Sequence, residues 1–325
     1  MSNIKLRILS EAKKQLKDKT KPRIISPFKL KTTKANQLLA FFKPETFFPN
    51  TKTENLIDLV FKKFSEFEVS IDGAALFAGP ALHKHSIMDR HYGVINQMSK
   101  SASKLLIKDD YDLVYRTLGI KNKSTPILGG HEAYAVSGFR STQKFDNYWL
   151  EAPSTKVKSG TYARVLTIAN KSTVVINGFH PNQLDYYTNA KHQIIVLLAS
   201  SNTPWKKLRE EMLGEAFPEK APKHSIRGAV YKDKKDYGFD SVSIANNILH
   251  LSAGPTEALF EIDNFLTSLG LDLFTEKAKL ASELTKIGLD GAVIKKIMNN
   301  KSVHAELEHK DTDYAINFLK RLSLS

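Results

Sequence analysis

The chain has 325 residues, enough for one large domain or two modest ones, and its 42% apolar content is that of an ordinary folded protein. It contains no cysteine, which excludes a disulfide framework and a thiolate metal site and fits a reducing compartment. The formal charge of +14 is uneven: residues 1–34 carry eleven Lys or Arg against Glu11 and Asp18, a net +9. No run of 18 apolar residues is present, so no membrane span is expected, and no secretory signal is expected at the N-terminus.

The basic segment 1–36 reads as an extension. It attracts polyanions by counterion release, stays solvated, or packs on the body as a lysine-rich helix. Gln37-Leu38-Leu39-Ala40-Phe41-Phe42 is an apolar run stopped by Lys43-Pro44, which predicts a buried strand ending at a charged turn. Thr51 and Glu54 form a capping-box pattern, followed by Leu56, Val60, Phe64 and Phe67 at helical spacing. Val69 to Phe77 reads as a second strand. Strand, helix, strand argues a layered α/β arrangement.

From Ser99 to about Ala190 the character changes. A helical stretch over Ser101–Leu106 gives way to frequent turns at Thr125-Pro126, Gly129-Gly130, Ser159-Gly160 and Asn177-Gly178. Val165–Ile168, Asn170-Lys171 and Thr173–Ile176 spell a β-hairpin. This predicts a β-rich insertion over 99–190. Ile194 to Leu198 follows as a buried strand, Trp205 to Met212 as a helix and Ile244 to Leu249 as a strand. Pro255 suits a first helical position, and the helix it opens turns Ala258, Leu259, Ile262, Phe265, Leu266 and Leu269 inward before stopping at Gly270. Residues 269–325 read as an all-helical extension.

The chemistry-bearing stretch is Asn246-Asn247-Ile248-Leu249-His250-Leu251-Ser252-Ala253-Gly254-Pro255. It sets a histidine and a serine two residues apart at a strand-to-helix junction, with Met212-Leu213-Gly214-Glu215 and Ile226-Arg227-Gly228 upstream. Alone, His250 between Leu249 and Leu251 reads as a core or surface histidine, and Lys43 as a solvated turn lysine. Glu257 and Glu261 fit the wet face of an amphipathic helix as well as a site.

Together these motifs resemble nucleoside diphosphate kinase, whose signature runs N-x-x-H-x-S after M-L-G-E-x-x-P and I-R-G. The likeness covers two blocks, roughly 37–96 and 191–268, expected as a two-part core over 37–98 and 191–268. It implies a ferredoxin-like antiparallel sheet with helices, a phosphohistidine at His250, and orientation of the imidazole by Ser252 and Glu261. It further implies Tyr92, from Arg90-His91-Tyr92, beside the histidine, and phosphate or sugar contacts from Lys43, Arg227 and Asn247. Arg209 and Ile244 complete the expected nucleotide-binding set. Nucleoside triphosphates and diphosphates are the implied substrates, with Mg²⁺ bridging the terminal phosphates. A cytoplasmic homo-oligomer is the expected state.

The departures from the family pattern matter. Its Thr two residues after M-L-G is Ala216 here, and its Arg two residues before that motif aligns with Glu210, next to Arg209. About ten extra residues separate Arg227 from Asn247. The alternative is therefore a catalytically reduced nucleotide-binding or nucleic-acid-binding protein on the same fold.

Overall fold

A computed structural model describes residues 2–14, 18–273 and 277–324. The chain divides into two compact units. One comprises residues 1–85 and 190–325, the other Ser86–Asn189. In chain order the strands are β1 (Arg23–Ser26), β2 (Asn36–Phe42) and β3 (Ser70–Ala78); β4 (Ile127–Gly129), β5 (Thr155–Lys158), β6 (Thr161–Ile168) and β7 (Lys171–Ile176) in the inserted unit; then β8 (Gln193–Ser201) and β9 (Leu249–Leu251).

The larger unit is built on a five-stranded sheet of order β1-β3-β8-β2-β9, antiparallel throughout. With β1 set aside, the path is strand, helix, strand, strand, helix, strand, which is the ferredoxin-like α/β arrangement. All seven residues of β2 are buried. Leu38, Ala40 and Phe42 join a core with Leu56, Val60 and Phe64 of the helix Thr53–Glu66. Phe41 and Phe77 meet Phe265 of the helix Pro255–Leu266, at centroid distances of 5.7 and 5.6 Å. A strand covered on both faces reads as an unbroken apolar run, which is why β2 and β8 show no alternation.

Several local expectations need correction. The capping box at Thr51 does not form: the helix begins at Thr53 with Lys52 at its N-cap, and the Thr51 hydroxyl donates to the Glu45 carbonyl. Trp205–Lys207 is α-helical, but Leu208–Leu213 widens into a π-helix. The strand expected over Ile244–Leu249 shrinks to Leu249–Leu251, because Ile248 takes a left-handed φ of 61° that ends any extended run. Ile244 lies in the preceding loop, half exposed.

The basic N-terminal segment belongs to the body of its unit. Its helix Ser2–Lys13 buries Ile8 and Leu9 in the same core, and β1 pairs with β3 at the sheet edge. The inserted unit is mixed rather than β-rich, and it starts at Ser86 rather than 99. Four strands in the order β4-β7-β6-β5 combine with helices Ile87–Leu105, Lys108–Thr117, Gly130–Ser137, Thr142–Leu150 and His180–Thr188. Turn residues give the segment a β appearance, but Gly129-Gly130 opens the helix Gly130–Ser137, which Gly138 closes in the left-handed region. After Gly270 the described chain is helical at Lys279–Lys286, Gly291–Met298, Lys301–Glu306 and Thr312–Leu324. Among the described residues no helix is long and apolar enough to cross a membrane.

Candidate active site

His250 sits on β9 at the sheet edge, directly opposite Phe41 of β2, and its imidazole stacks on the Phe41 ring at 4.5 Å and 17°. Nε2 lies 2.6 Å from Glu261 Oε1. The second carboxylate oxygen of Glu261 accepts the Ser252 hydroxyl at 2.6 Å. Helix Pro255–Leu266 carries Glu261 back under the strand, fully buried, so this residue is not part of a wet face. Ser252 is pinned by its own backbone: its N–H donates to the Leu39 carbonyl at 3.0 Å, and its carbonyl accepts the Trp205 indole N–H at 3.2 Å. The result is a rigid relay from serine to carboxylate to imidazole. A carboxylate on one ring nitrogen fixes the tautomer, so the proton resides on Nε2 and the lone pair on Nδ1.

Burial pushes the His250 pKa down to about 3; Glu257 opposes this, while Arg209, Lys43 and Arg227 act in the same direction as burial. The ring is therefore neutral at physiological pH, the state in which imidazole is a nucleophile. Its side chain keeps 19% of its surface exposed.

The strand approach is strained. Ile248, with φ of 61°, is β-branched, and such a residue in the left-handed region costs about 1–3 kcal/mol. Glu45 holds it there: the buried Glu45 carboxylate accepts the Ile248 N–H at 2.8 Å. The Ile248 carbonyl in turn accepts the Lys43 N–H at 2.8 Å and the Thr46 hydroxyl at 3.3 Å. Sequence reasoning misses Glu45; the available signal is an acid immediately after the Lys-Pro turn that stops a buried strand.

The other predicted residues fall as follows. Lys43 is nearly buried, and its Nζ donates to the Ala245 carbonyl at 3.2 Å. Burial lowers its pKa to about 8, with Glu45 opposing and Arg227 reinforcing the shift. Arg227 is the second residue of the helix Ile226–Lys232, which Ser225 caps through the Gly228 N–H. Its guanidinium donates to the carbonyls of Gly214 at 3.1 Å and Leu249 at 3.2 Å. Asn247 is buried; its Nδ2 donates to the carbonyls of Ala216 and Ile244, both at 3.2 Å, while its Oδ1 is a buried acceptor without a hydrogen-bond donor. Arg209 donates to the Leu251 carbonyl, and burial lowers its pKa against the pull of Glu257, Glu308, Glu261 and Glu215.

Lys43, Arg209, Arg227, Asn247, Ser252 and Glu261 thus share one unit with His250, and Ile244 contributes only its carbonyl. Tyr92 does not: it belongs to the inserted unit, on the helix Ile87–Leu105, where its ring meets His180 at 5.5 Å and Tyr187 at 6.0 Å. Glu257 is a second residue that sequence reasoning leaves out of the site. Its Oε2 accepts the Ala253 N–H at 3.0 Å, and burial beside Glu261 raises its pKa. Glu210, in the place of the family's arginine, is turned toward His309 at 3.4 Å.

No family model and no curated protein matches the chain. A solved NDP kinase from Pyrobaculum aerophilum is similar at 16% identity, over 71% of this chain and 94% of that one, with a TM-score of 0.33.

Proposed function

We propose that this chain is a phosphotransferase of the nucleoside diphosphate kinase type, with His250 as carrier. The observation that carries the reading is the bonding of one buried carboxylate, Glu261, to both His250 Nε2 and Ser252, with the charges of Lys43, Arg209 and Arg227 acting on the same imidazole. In the first half-reaction Nδ1 attacks the γ-phosphorus of a nucleoside triphosphate. The N–P bond forms as the bond to the β,γ-bridging oxygen breaks, and the diphosphate leaves. The ring's developing positive charge is met by Glu261 through the Nε2–H bond. In the second half-reaction a terminal oxygen of another diphosphate attacks phosphorus and the N–P bond breaks. Lys43, Arg227 and Arg209 neutralise phosphate oxygens, and the buried Asn247 Oδ1 offers an acceptor to a sugar hydroxyl.

Two carboxylates act at the imidazole, and both are engaged: Glu261 by His250 and Ser252, and Glu257 by Ala253. The cations Lys43, Arg209 and Arg227 suit anionic phosphates brought to the imidazole. Mg²⁺ would enter with the nucleotide and share the neutralisation of its terminal phosphates with Lys43, Arg209 and Arg227. Exchange of label from a nucleoside triphosphate to a different diphosphate, with parallel-line ping-pong kinetics, tests the reading. Intersecting lines would contradict it, because they require both nucleotides to be bound at once.

Lys43 makes the activity pH-dependent. A lysine with a pKa of about 8 is charged below that pH and neutral above it, so kcat/KM for the triphosphate is expected to fall above pH 8. Lys43→Arg should remove that limb from the profile. An unchanged limb in this variant would assign it to another group.

The rival reading, a catalytically reduced binding protein, is favoured by two observations. Ala216 lacks the hydroxyl that would meet phosphate, and the Arg227 guanidinium donates to the backbone carbonyls of Gly214 and Leu249. For the basic N-terminal segment we propose polyanion contact. Lys14, Lys21 and Arg23 face Glu11 and Asp18, which the +9 already counts, so only Lys5, paired with Asp58, withdraws charge from a partner. Charge reversal at Lys29 and Lys31 should lower the slope of log K against log salt for single-stranded nucleic acid, by roughly 0.7 for each phosphate no longer neutralised. An unchanged slope would assign the segment to folding alone.

A further inference from the structure

The turn Ala253-Gly254 joins Ser252 to the helix that carries Glu261, so its position sets both partners of the relay. It is held from outside the nucleotide-kinase-like core. The backbone N–H of His309 donates to the Ala253 carbonyl at 2.8 Å. Gly254 lies flat beneath the Leu307 carbonyl: a Cβ there would stand 2.3 Å from that oxygen, with Glu308 Cα at 3.3 Å. His309 itself adopts a left-handed φ of 61° to present its N–H, a conformation unusual outside glycine. Its imidazole lies 3.4 Å from Glu210 and 3.8 Å from Glu308. Just beyond, Asp311 Oδ1 accepts the Trp205 N–H at 2.7 Å and the Asn36 amide at 2.9 Å. Thr312 closes the link by donating both its N–H and its hydroxyl to Asn36 Oδ1. Asn36 begins β2, the strand that supplies Leu39 to Ser252 and Phe41 to His250.

The geometry points to the 307–312 segment as a clamp on the phosphoryl-carrier turn, with Gly254 and the His309 N–H as its positioning residues. The C-terminal helices are then part of the active site of this protein rather than a module appended to it. The inference rests on His250 being the carrier. A carrier whose carboxylate support is displaced by an ångström loses rate without losing ground-state affinity, because the proposed nucleotide contacts, Lys43, Arg209, Arg227 and Asn247, all lie outside the turn and the 307–312 segment.

Gly254→Ala forces the Leu307 carbonyl to move, and Asp311→Ala loosens the anchor without adding bulk at the turn. Single-turnover formation of phosphohistidine and equilibrium binding of the triphosphate would be measured on the full chain, below the unfolding temperature of each variant. We expect phosphorylation slowed about tenfold or more in Gly254→Ala, less in Asp311→Ala, with nucleotide Kd within about twofold of wild type. Wild-type rates in the folded variants, or rate and affinity falling together, would overturn the clamp. If Gly254→Ala does not fold, Asp311→Ala alone decides. If the wild type forms no phosphohistidine, it is the functional reading that fails. The clamp is then judged by the ¹⁵N shifts of the His250 ring, which should differ between wild type and variant and would overturn it if identical.

Discussion

His250→Ala is expected to remove turnover, by about 10⁴-fold or more, while leaving the fold and nucleotide binding in place. The size follows from the chemistry. A two-step transfer through a protein nucleophile has no partial version, and Ser252 offers no substitute. Ser252 is fully buried with its hydroxyl committed to the Glu261 carboxylate, and the chain has no cysteine. The fold should tolerate the change because β9 holds its place through Leu249 and Leu251, whose side chains are in the core, and through pairing with β2. The same geometry predicts the acid side of the pH profile. With its pKa at about 3, His250 stays neutral from pH 7 down through pH 5, so no acid limb at the usual histidine value should come from this residue. Residual turnover above a hundredth of wild type in His250→Ala would place the chemistry elsewhere.

Glu261→Gln should give the second-largest loss, about 10²-fold in the rate of phosphoenzyme formation. The amide keeps the shape of the side chain and can still hold the site together. Its oxygen accepts the imidazole N–H, and its NH₂ donates to the Ser252 oxygen while that hydroxyl turns to the Leu39 carbonyl, 3.0 Å away. What it loses is the negative charge opposite the cation that develops as Nδ1 bonds to phosphorus. The effect should therefore lie in the chemical step and leave Kd nearly unchanged. Glu261→Ala removes the acceptor of both bonds from a fully buried position, and it should in addition lower stability by about 1–3 kcal/mol. A Gln variant that phosphorylates at the wild-type rate would reduce Glu261 to a packing residue.

Much of the core is legible in the sequence because its signals are local. β2 and β8 are apolar runs long enough to be strands and too short for helices, and the Pro255 helix announces its first residue and its apolar spacing together. The hairpin of β6 and β7 follows from its turn, which the structure closes with Ala169 and Asn170 at positive φ. The misses have physical causes. Thr51 has the right neighbours for a cap, but the Glu45 carbonyl competes for its hydroxyl, and a cap pattern does not reveal such tertiary acceptors. Ile248 belongs by propensity to a strand; a buried carboxylate 203 residues upstream holds it out of one. Glu257 and Glu261 stand one helical turn apart on a helix whose spacing leaves room for a polar face. Only the fold shows that Glu261 is fully buried against the histidine while Glu257 holds the turn.

The central claim is that phosphoryl passes through Nδ1 of His250. Wild-type protein incubated with γ-labelled ATP and Mg²⁺, quenched in base and mapped by peptide mass spectrometry, is expected to carry one acid-labile phosphate on the peptide containing His250. Phosphorus NMR should place it on Nδ1, and adding a nucleoside diphosphate should discharge it. Nucleotide binding with no base-stable phosphate on that peptide, or a label that survives acid or persists in His250→Ala, would contradict the account.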